Sequence, residues 1–260
     1  MGATMLKNRY VVPVLFLLFF IWSIICTGFS ISDLIAGVPN LSNFLGCMFP
    51  PVWDIFVPLI SPAIETIQMA FLGTVFAVAL SVPVALLAAN NITPSKPVKV
   101  LARGFIAFTR TVPDIVFALI FVSAVGLGPV PGILALAIHS VGMLGKLYAE
   151  AIEEVDPGPV EAVEAVGAGK LQAVYYAVIP QVTPSFVAST LYRFDINVRS
   201  SIVLGLVGAG GIGFELIMAM RLFRYHEMLT ILIIIFIVVM LSEWASNSIR
   251  AHVIGEEVLK

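Results

Sequence analysis

The sequence has 260 residues, of which 60% are hydrophobic and 12% are charged, and its mean hydropathy is +1.05. Soluble domains usually carry about 25% charged residues, so this composition predicts an all-α integral membrane protein. The net charge of −2 argues against a nucleic-acid partner, and the two cysteines are too few for a disulfide framework or a thiolate metal site.

Four long stretches without charged residues lie at 11–32, 66–95, 115–145 and 171–192, and the apolar pattern as a whole predicts about six transmembrane helices. Each stretch reaches the ~20 residues with which a helix crosses the hydrocarbon core. The first follows Lys7 and Arg9, as a secretion signal would, but its apolar part is longer than a signal core, so we expect a retained anchor. The predicted spans lie near residues 10–30, 62–90, 104–127, 130–153, 175–206 and 228–249.

Lysine and arginine residues predict the orientation of these spans. Residues 31–61 contain neither, whereas residues 91–103 contain three. The positive-inside rule therefore places both termini and the 91–103 loop in the cytoplasm, and residues 31–61 outside. Counting spans then places residues 155–172 in the cytoplasm. Arg221 and Arg224 fall outside in this arrangement, in conflict with the rule.

Several charged residues lie inside the predicted spans, where they are costly and suggest function by default. Three pairs of opposite charge stand four residues apart, a spacing that brings side chains together on one helix face. Arg193 stands ~200° around the helix from Asp195, so the spacing gives it no partner of opposite charge on its own helix face. A contact between helices or subunits explains Arg193 as well as a place on a transport path does. The three pairs are Arg110 with Asp114, Lys146 with Glu150, and Asp195 with Arg199.

The segment 156–180 predicts a short amphipathic helix in the cytoplasm. Asp156 can cap its start, prolines are tolerated in its first turn, and Gly167 suits the left-handed turn that ends a helix. Three valines follow at steps of three, with Glu161 and Glu164 on the adjoining side. Helices that lie on lipid usually carry lysine and arginine on the polar face, so this acidic face favours a protein partner over a lipid surface.

This segment resembles the cytoplasmic loop of permeases from binding-protein-dependent ABC importers. In that family the loop reads Glu-Ala-Ala, three residues, Gly, nine residues, then Ile-x-Leu-Pro. Here Glu161-Ala162-Val163, three residues, Gly167 and nine residues precede Ala177-Val178-Ile179-Pro180. The resemblance implies that a helix at 157–170 docks into a separate ATPase subunit. The implied coupling residues are Glu161, Ala162, Val163, Glu164, Gly167 and Pro180.

Residues 110–162 and 191–213 are similar to the permeases of phosphonate importers, and the similarity extends over about 62–250. The resemblance implies a type I importer permease core at 62–250 with its coupling loop at 156–180. An anchor and extracytoplasmic segment at 1–61 precede the core, and a cytoplasmic tail at 251–260 follows it.

The same resemblance implies which partners the protein has and in which membrane it lies. It implies a homodimer in the bacterial inner membrane, two cytosolic ATPase subunits, and an extracytoplasmic phosphonate-binding protein that delivers the ligand. Membrane lipid is the remaining partner. Relatives that carry phosphite or phosphate are similar in sequence, so the transported compound stays open between these and phosphonate.

The stretch "GAGGIG" at 208–213 reads G-x-G-x-x-G, the fingerprint of a dinucleotide site. That fingerprint requires a preceding strand in a soluble βαβ unit, and here a predicted membrane helix precedes it. The glycines are instead predicted to form a close-packed bend beside the translocation path, with ordinary helix packing as an equal explanation for any one of them. They are Gly208, Gly210, Gly211 and Gly213.

An anion that crosses a membrane protein needs compensating positive charge, and a guanidinium donates hydrogen bonds in pairs. Arg193 is the first candidate for the substrate path, Arg199 the second, and Arg110 a further one. No catalytic motif, metal-ligand pattern or phosphate-binding loop occurs, so we expect no cofactor and no enzymatic activity, with ATP hydrolysis in a partner chain. The alternatives are a secondary transporter independent of ATP and, less favoured, a membrane-embedded enzyme.

Overall fold

The computed structural model describes residues 2–258, with side chains from 11 to 251, and this part of the chain is helical without strands. Residues 259 and 260 of the predicted tail, and the side chains of Lys7 and Arg9, lie outside the described part. Short 3-10 and π segments at Trp53–Ile55 and Val174–Val178 complete the helices. The α-helices are α1 Gly2–Thr27, α2 Ile31–Met48, α3 Phe56–Ala88, α4 Lys96–Thr111, α5 Asp114–Val125, α6 Pro129–Glu153, α7 Pro157–Ala165, α8 Lys170–Ala173, α9 Ile179–Gly205, α10 Gly211–Arg221 and α11 Tyr225–Val258.

The chain divides into two compact units between Phe49 and Pro50. The first unit contains α1 and α2, which are bent by 50° relative to each other. The sequence predicts an extracytoplasmic segment from residue 31, but much of it is the helix α2. Ser30 starts this helix by accepting a hydrogen bond from the backbone N–H of Asp33 at 3.4 Å.

The second unit contains α3 to α11 and carries most of the predicted spans. Three of its described helices are long and apolar enough to cross a membrane, at Trp53–Ala88, Pro129–Glu153 and Tyr225–Ala251. They correspond to the second, fourth and sixth predicted spans. The fifth corresponds to α9, whose 27 residues include three charged ones. The helix content and these spans confirm the predicted fold class.

The prediction of one continuous helix at 104–127 is wrong. The chain bends by 87° between α4 and α5, and α4 already begins at Lys96 within the predicted 91–103 loop. Proline lacks an N–H and disfavours helical geometry in the residue before it, and Val112 before Pro113 is extended with ψ 121°. Arg110 and Asp114 therefore lie on different helices, and the described residues show no ion pair between them.

Helix α6 lies at the centre of the second unit and packs against α3, α4, α5 and α9. Small residues permit these close contacts. A Cβ atom added to Gly142 would lie 2.5 Å from the backbone nitrogen of Arg110. Farther along α6, the ring of Tyr148 stacks on Phe186 with centroids 3.9 Å apart. The contacts of α6 thus fix where α4 and α9 present their charged residues.

The second unit has two ends that differ in their connections. At one end, which we call the α7 end, the side-chain amide of Asn91 donates to the carbonyl oxygen of Ile152 at 2.7 Å and joins the 89–95 turn to α6. At the other, the glycine-turn end, the backbone N–H of Gly128 donates to the carbonyl oxygen of Gly208 at 3.0 Å. Helices α3, α6, α9 and α11 run between the two ends.

Candidate functional site

Helix α7 forms as the sequence predicts, but it is shorter. A carboxylate oxygen of Asp156 accepts the backbone N–H of Gly158 at 3.0 Å, which caps the start of the helix. Gly167 has φ +88°, a left-handed conformation that residues with a Cβ adopt at a cost. The helix therefore ends at Ala165, just before the turn that the sequence predicts at Gly167, and the range 157–170 that the resemblance implies for the helix is too long.

Gln181, which the sequence analysis missed, ties α7 to the start of α9. Its side-chain oxygen accepts the backbone N–H of Asp156 at 3.0 Å. Its side-chain nitrogen donates to the carbonyl oxygen of Ala177 at 2.8 Å. Pro180, one of the predicted coupling residues, lies in the first turn of α9 beside this contact. A displacement of α7 would therefore act directly on α9.

The surface of α7 and the segment after it is both acidic and apolar. Glu161, Ala162 and Glu164 are exposed, and Val163 is half-buried. Val166, predicted on the apolar face, is 84% exposed, because the helix ends before it. Further large apolar side chains are exposed within ten residues of Val166. They are Leu171, Tyr175 and Tyr176, and the two tyrosine rings meet edge to face with centroids 5.0 Å apart.

Arg193 belongs to a buried polar network between α3, α6 and α9. Its side chain is 3% exposed, and its Nε donates to the hydroxyl of Ser140 at 2.8 Å. That hydroxyl donates to Oδ1 of Asn197 at 3.1 Å, and Nδ2 of Asn197 donates to the hydroxyl of Thr74 at 2.9 Å. Nη1 of Arg193 contacts the sulfur of Met143 at 3.5 Å, while Nη2 is buried without a hydrogen-bond partner in the described part of the chain. Arg193 thus joins helices within one chain.

The other predicted pairs have different outcomes. Lys146 and Glu150 form the predicted ion pair at 3.3 Å. Asp195 and Arg199 form no direct ion pair among the described residues, because helix α11 supplies other partners. Asp195 accepts the hydroxyl of Ser246 at 3.0 Å. Arg199 pairs with Glu243 at 3.1 Å, and both of these side chains are half-exposed.

A groove of about 420 Å³ runs along α4 and α6 and is lined with charged residues from both helices. Near the α7 end, Nη2 of Arg103 pairs with Glu153 at 2.6 Å, and its Nε donates to the carbonyl oxygen of Ala88 at 3.0 Å. The Lys146 ion pair lines the groove farther in. The exposed Arg110, which also lines it, has no acidic partner within 4.0 Å among the described side chains.

Gly208 and Gly210 lie in a tight bend between α9 and α10, as predicted, and Gly211 and Gly213 lie in the first turn of α10. Gly208, Gly210 and Gly211 all have positive φ, and a Cβ atom on Gly213 would collide with the carbonyl oxygen of Ile202. Two side chains of α3, far away in sequence and absent from the sequence-based site, cap the helix that follows. A carboxylate oxygen of Glu65 accepts the N–H of Gly211 at 3.1 Å, and the hydroxyl of Thr66 accepts that of Ile212 at 2.8 Å.

Comparison with known proteins identifies relatives of this chain. Residues 81–253 match the family model described as "Binding-protein-dependent transport system inner membrane component". The phosphite transport system permease protein PtxC of Stutzerimonas stutzeri is 45% identical over 221 residues, which cover 85% of this chain and 80% of PtxC. The phosphate-import permease protein PhnE of Mycolicibacterium smegmatis is 48% identical over 217 residues, which cover 84% of this chain and 41% of PhnE.

A solved structure of the inward-facing MetNI methionine ABC transporter shares the fold. It matches with a TM-score of 0.67 at 22% identity, and the match covers 78% of this chain and 99% of the matched chain. The predicted resemblance to importer permeases is therefore confirmed by both sequence and fold.

Proposed function

The chain belongs to the family of binding-protein-dependent transport system inner membrane components, and we propose that it forms the membrane path of an ATP-driven importer for a phosphorus oxyanion. As a membrane permease it is a transport component and not an enzyme. The observation that carries the proposal is the 45% identity with a phosphite permease over 221 residues. In a chain of 260 residues, a match of that length includes both the α7 loop and the charged helix α9.

The transported compound is a tetrahedral oxyanion of phosphorus. One relative is named for phosphite and another for phosphate, and the sequence itself resembles phosphonate permeases. These compounds share negatively charged oxygen atoms around one phosphorus atom. Phosphonate is our first choice, with phosphite and phosphate as the alternatives within the same chemistry.

Coupling to ATP hydrolysis takes place at α7. The exposed residues Glu161, Ala162 and Glu164 are available to a partner, and the exposed apolar side chains after the helix extend that surface. Exposed apolar surface of this kind usually marks a binding site for another protein. Gln181 then transmits the movement of α7 to α9. Two cytosolic ATPase subunits, one for each copy of a homodimer, complete this arrangement.

The α7 end faces the cytoplasm in this proposal. Lys96, Lys99 and Lys170 lie at or beside that end, as the positive-inside rule expects. At the opposite end, Arg221 and Arg224 conflict with the positive-inside rule. This conflict is smaller than the sequence indicates, because Arg224 contacts Glu227 at 3.5 Å and its charge is thereby partly compensated. An extracytoplasmic binding protein would deliver the ligand at the glycine-turn end.

The three predicted pathway arginines differ in how they can meet a substrate. Arg110 is exposed and has no acidic partner among the side chains that the structure describes, so it is the most accessible of them. Arg199 is half-exposed but paired with Glu243. Arg193 is buried, so it can contact an anion only in a conformation in which α3, α6 and α9 separate. We therefore place Arg110 first on the substrate path.

Co-purification tests the coupling. The chain is tagged in its native membrane, extracted gently, and assayed for an associated ATPase and for uptake of phosphonate, phosphite and phosphate. Gly167→Arg puts a bulky charged side chain at the end of α7, so we expect it to lose the ATPase. Gly167→Asn is the matched control, because asparagine tolerates the left-handed turn, and it should retain the ATPase. Absence of any ATPase with the wild-type chain would favour the secondary transporter.

A further inference from the structure

The groove between α4 and α6 exposes more charge than a lipid-facing surface can carry. Lys146 and Glu150 are each about half exposed, with 47% and 49% of their side chains accessible. Charged side chains within membrane helices are costly in lipid and normally face a water-filled cavity or other protein. The groove therefore faces the interior of the transporter and not the bilayer.

Three cations follow one another along this groove. Arg103 and Arg110 are seven residues apart on α4, which places them on one face with ~10 Å of rise between them. Helix α6 runs antiparallel to α4, because Glu153 meets Arg103 while Gly142 meets Arg110. By this register Lys146, one helical turn from Gly142, lies on α6 between the levels of the two arginines.

The three cations differ in how firmly they are held. Arg103 is held by its ion pair with Glu153 and by its hydrogen bond to the carbonyl oxygen of Ala88. The ion pair of Lys146 with Glu150 is half-exposed, and such pairs are weak. Arg110 has no acidic partner among the described side chains. The positive charge that is free for a ligand therefore lies at the inner end of the groove.

We propose that Arg110 and Lys146 form a weak binding site for the transported oxyanion on its way to the cytoplasm, with Glu150 as a built-in competitor for Lys146. This inference rests on the proposed function of the chain as a permease for such anions. The guanidinium of Arg110 donates a pair of hydrogen bonds to two oxygen atoms, and the ammonium of Lys146 donates to a third. The ion pair between Glu150 and Lys146 breaks when the anion binds and forms again when the anion leaves.

The competition by Glu150 matters because a transport site must release its ligand. Two free cations in a membrane interior would hold an oxyanion tightly and slow its passage. A carboxylate within 3.3 Å of the ammonium lowers the net charge that the anion meets. The groove volume of about 420 Å³ leaves room for the anion together with water.

The test measures binding and transport by the complex of permease and ATPase. Uptake by the wild-type complex identifies which of phosphonate, phosphite and phosphate it carries, so failure of the proposed function is recognised first. That compound is then added to the complex in a maltoside detergent without phosphate groups, and the width of its phosphorus NMR line is recorded. Weak binding broadens this line. Co-purification of the ATPase shows that each variant is folded.

The variants are expected to change the line broadening in opposite directions. Arg110→Gln and Lys146→Gln should remove the broadening and lower uptake at least tenfold. Glu150→Gln should increase the broadening and lower both the maximal uptake rate and the half-saturating concentration severalfold. The matched control is Lys96→Gln, an exposed cation of α4 outside the groove, which should behave as wild type. If either groove variant does not assemble, the other and Glu150→Gln decide the question.

Two outcomes would overturn the proposal. In the first, the line broadens equally in the wild type and in all groove variants, so that binding occurs elsewhere. In the second, the transported compound gives no broadening, and native mass spectrometry finds a phospholipid that the wild type retains and that Arg110→Gln and Lys146→Gln lose. The groove would then hold the phosphate of a lipid headgroup and not a substrate.

Discussion

Replacing Ser140 by alanine removes the centre of the buried polar network. The hydroxyl of Ser140 accepts from Nε of Arg193 at 2.8 Å and donates to Asn197 at 3.1 Å. Hydrogen bonds to charged groups contribute about 1.5–3 kcal/mol and neutral ones about 0.5–1.5 kcal/mol. Because Nη2 of Arg193 already lacks a hydrogen-bond partner among the described residues, Ser140→Ala leaves a second nitrogen of the same buried guanidinium unbonded. We expect a loss of about 3 kcal/mol, which is about a hundredfold in the unfolding equilibrium.

The assay is reversible unfolding in mixed micelles with increasing denaturing detergent. Ser123→Ala is the matched control, because that exposed hydroxyl donates to the carbonyl oxygen of Leu119 on its own helix. Arg193→Met removes the charge and fills similar space, so the double variant with Ser140→Ala should lose less stability than the sum of the single variants. Equal effects of the two serine replacements, or strict additivity with Arg193→Met, would refute this reasoning.

The other contacts make two further predictions. Thr66→Val keeps the shape but leaves the buried N–H of Ile212 without its acceptor, so we expect unfolding to become about 1–3 kcal/mol easier in the same assay. Thr183→Val, where the exposed hydroxyl bonds its own helix, should change stability by less than about 0.5 kcal/mol, and an equal effect would contradict the role of the Thr66 cap. Gln181→Ala should lower the amount of substrate transported per ATP severalfold while the ATPase stays bound, because α7 loses its connection to α9. Unchanged transport per ATP would show that the movement passes elsewhere.

Local signals explain what the sequence predicts well. Asp156 and Gly167 act on the residues beside them, so the start and the end of α7 can be read from the chain. The glycines at 208–213 are equally local, since their positive φ values need no distant partner. The bend at Pro113 has a local signal too, but the apolar run on both sides favours a single helix. Hydropathy shows how long an apolar stretch is, but it does not show where the helix within that stretch bends.

Contacts between distant parts of the chain explain what the sequence does not predict. Glu65 and Thr66 cap a helix that begins 146 residues later, and nothing in their neighbourhood indicates it. The spacing of Asp195 and Arg199 shows that they share a face, but not that α11 presents Ser246 and Glu243 to them. The burial of Arg193 likewise depends on helices α3 and α6.

The segment from α8 to α9 is continuous, because the π segment Val174–Val178 joins the two helices without a turn. It covers residues 170–205, a helical path of roughly 54 Å at about 1.5 Å per residue. A tilt of about 5° at the π segment would move the end of α9, roughly 40 Å farther along, by roughly 3.5 Å. The π segment interrupts the regular α-helical hydrogen bonds, so the helix tilts most easily there. A displacement at the α7 end would thus reach the glycine turn without any helix having to unwind.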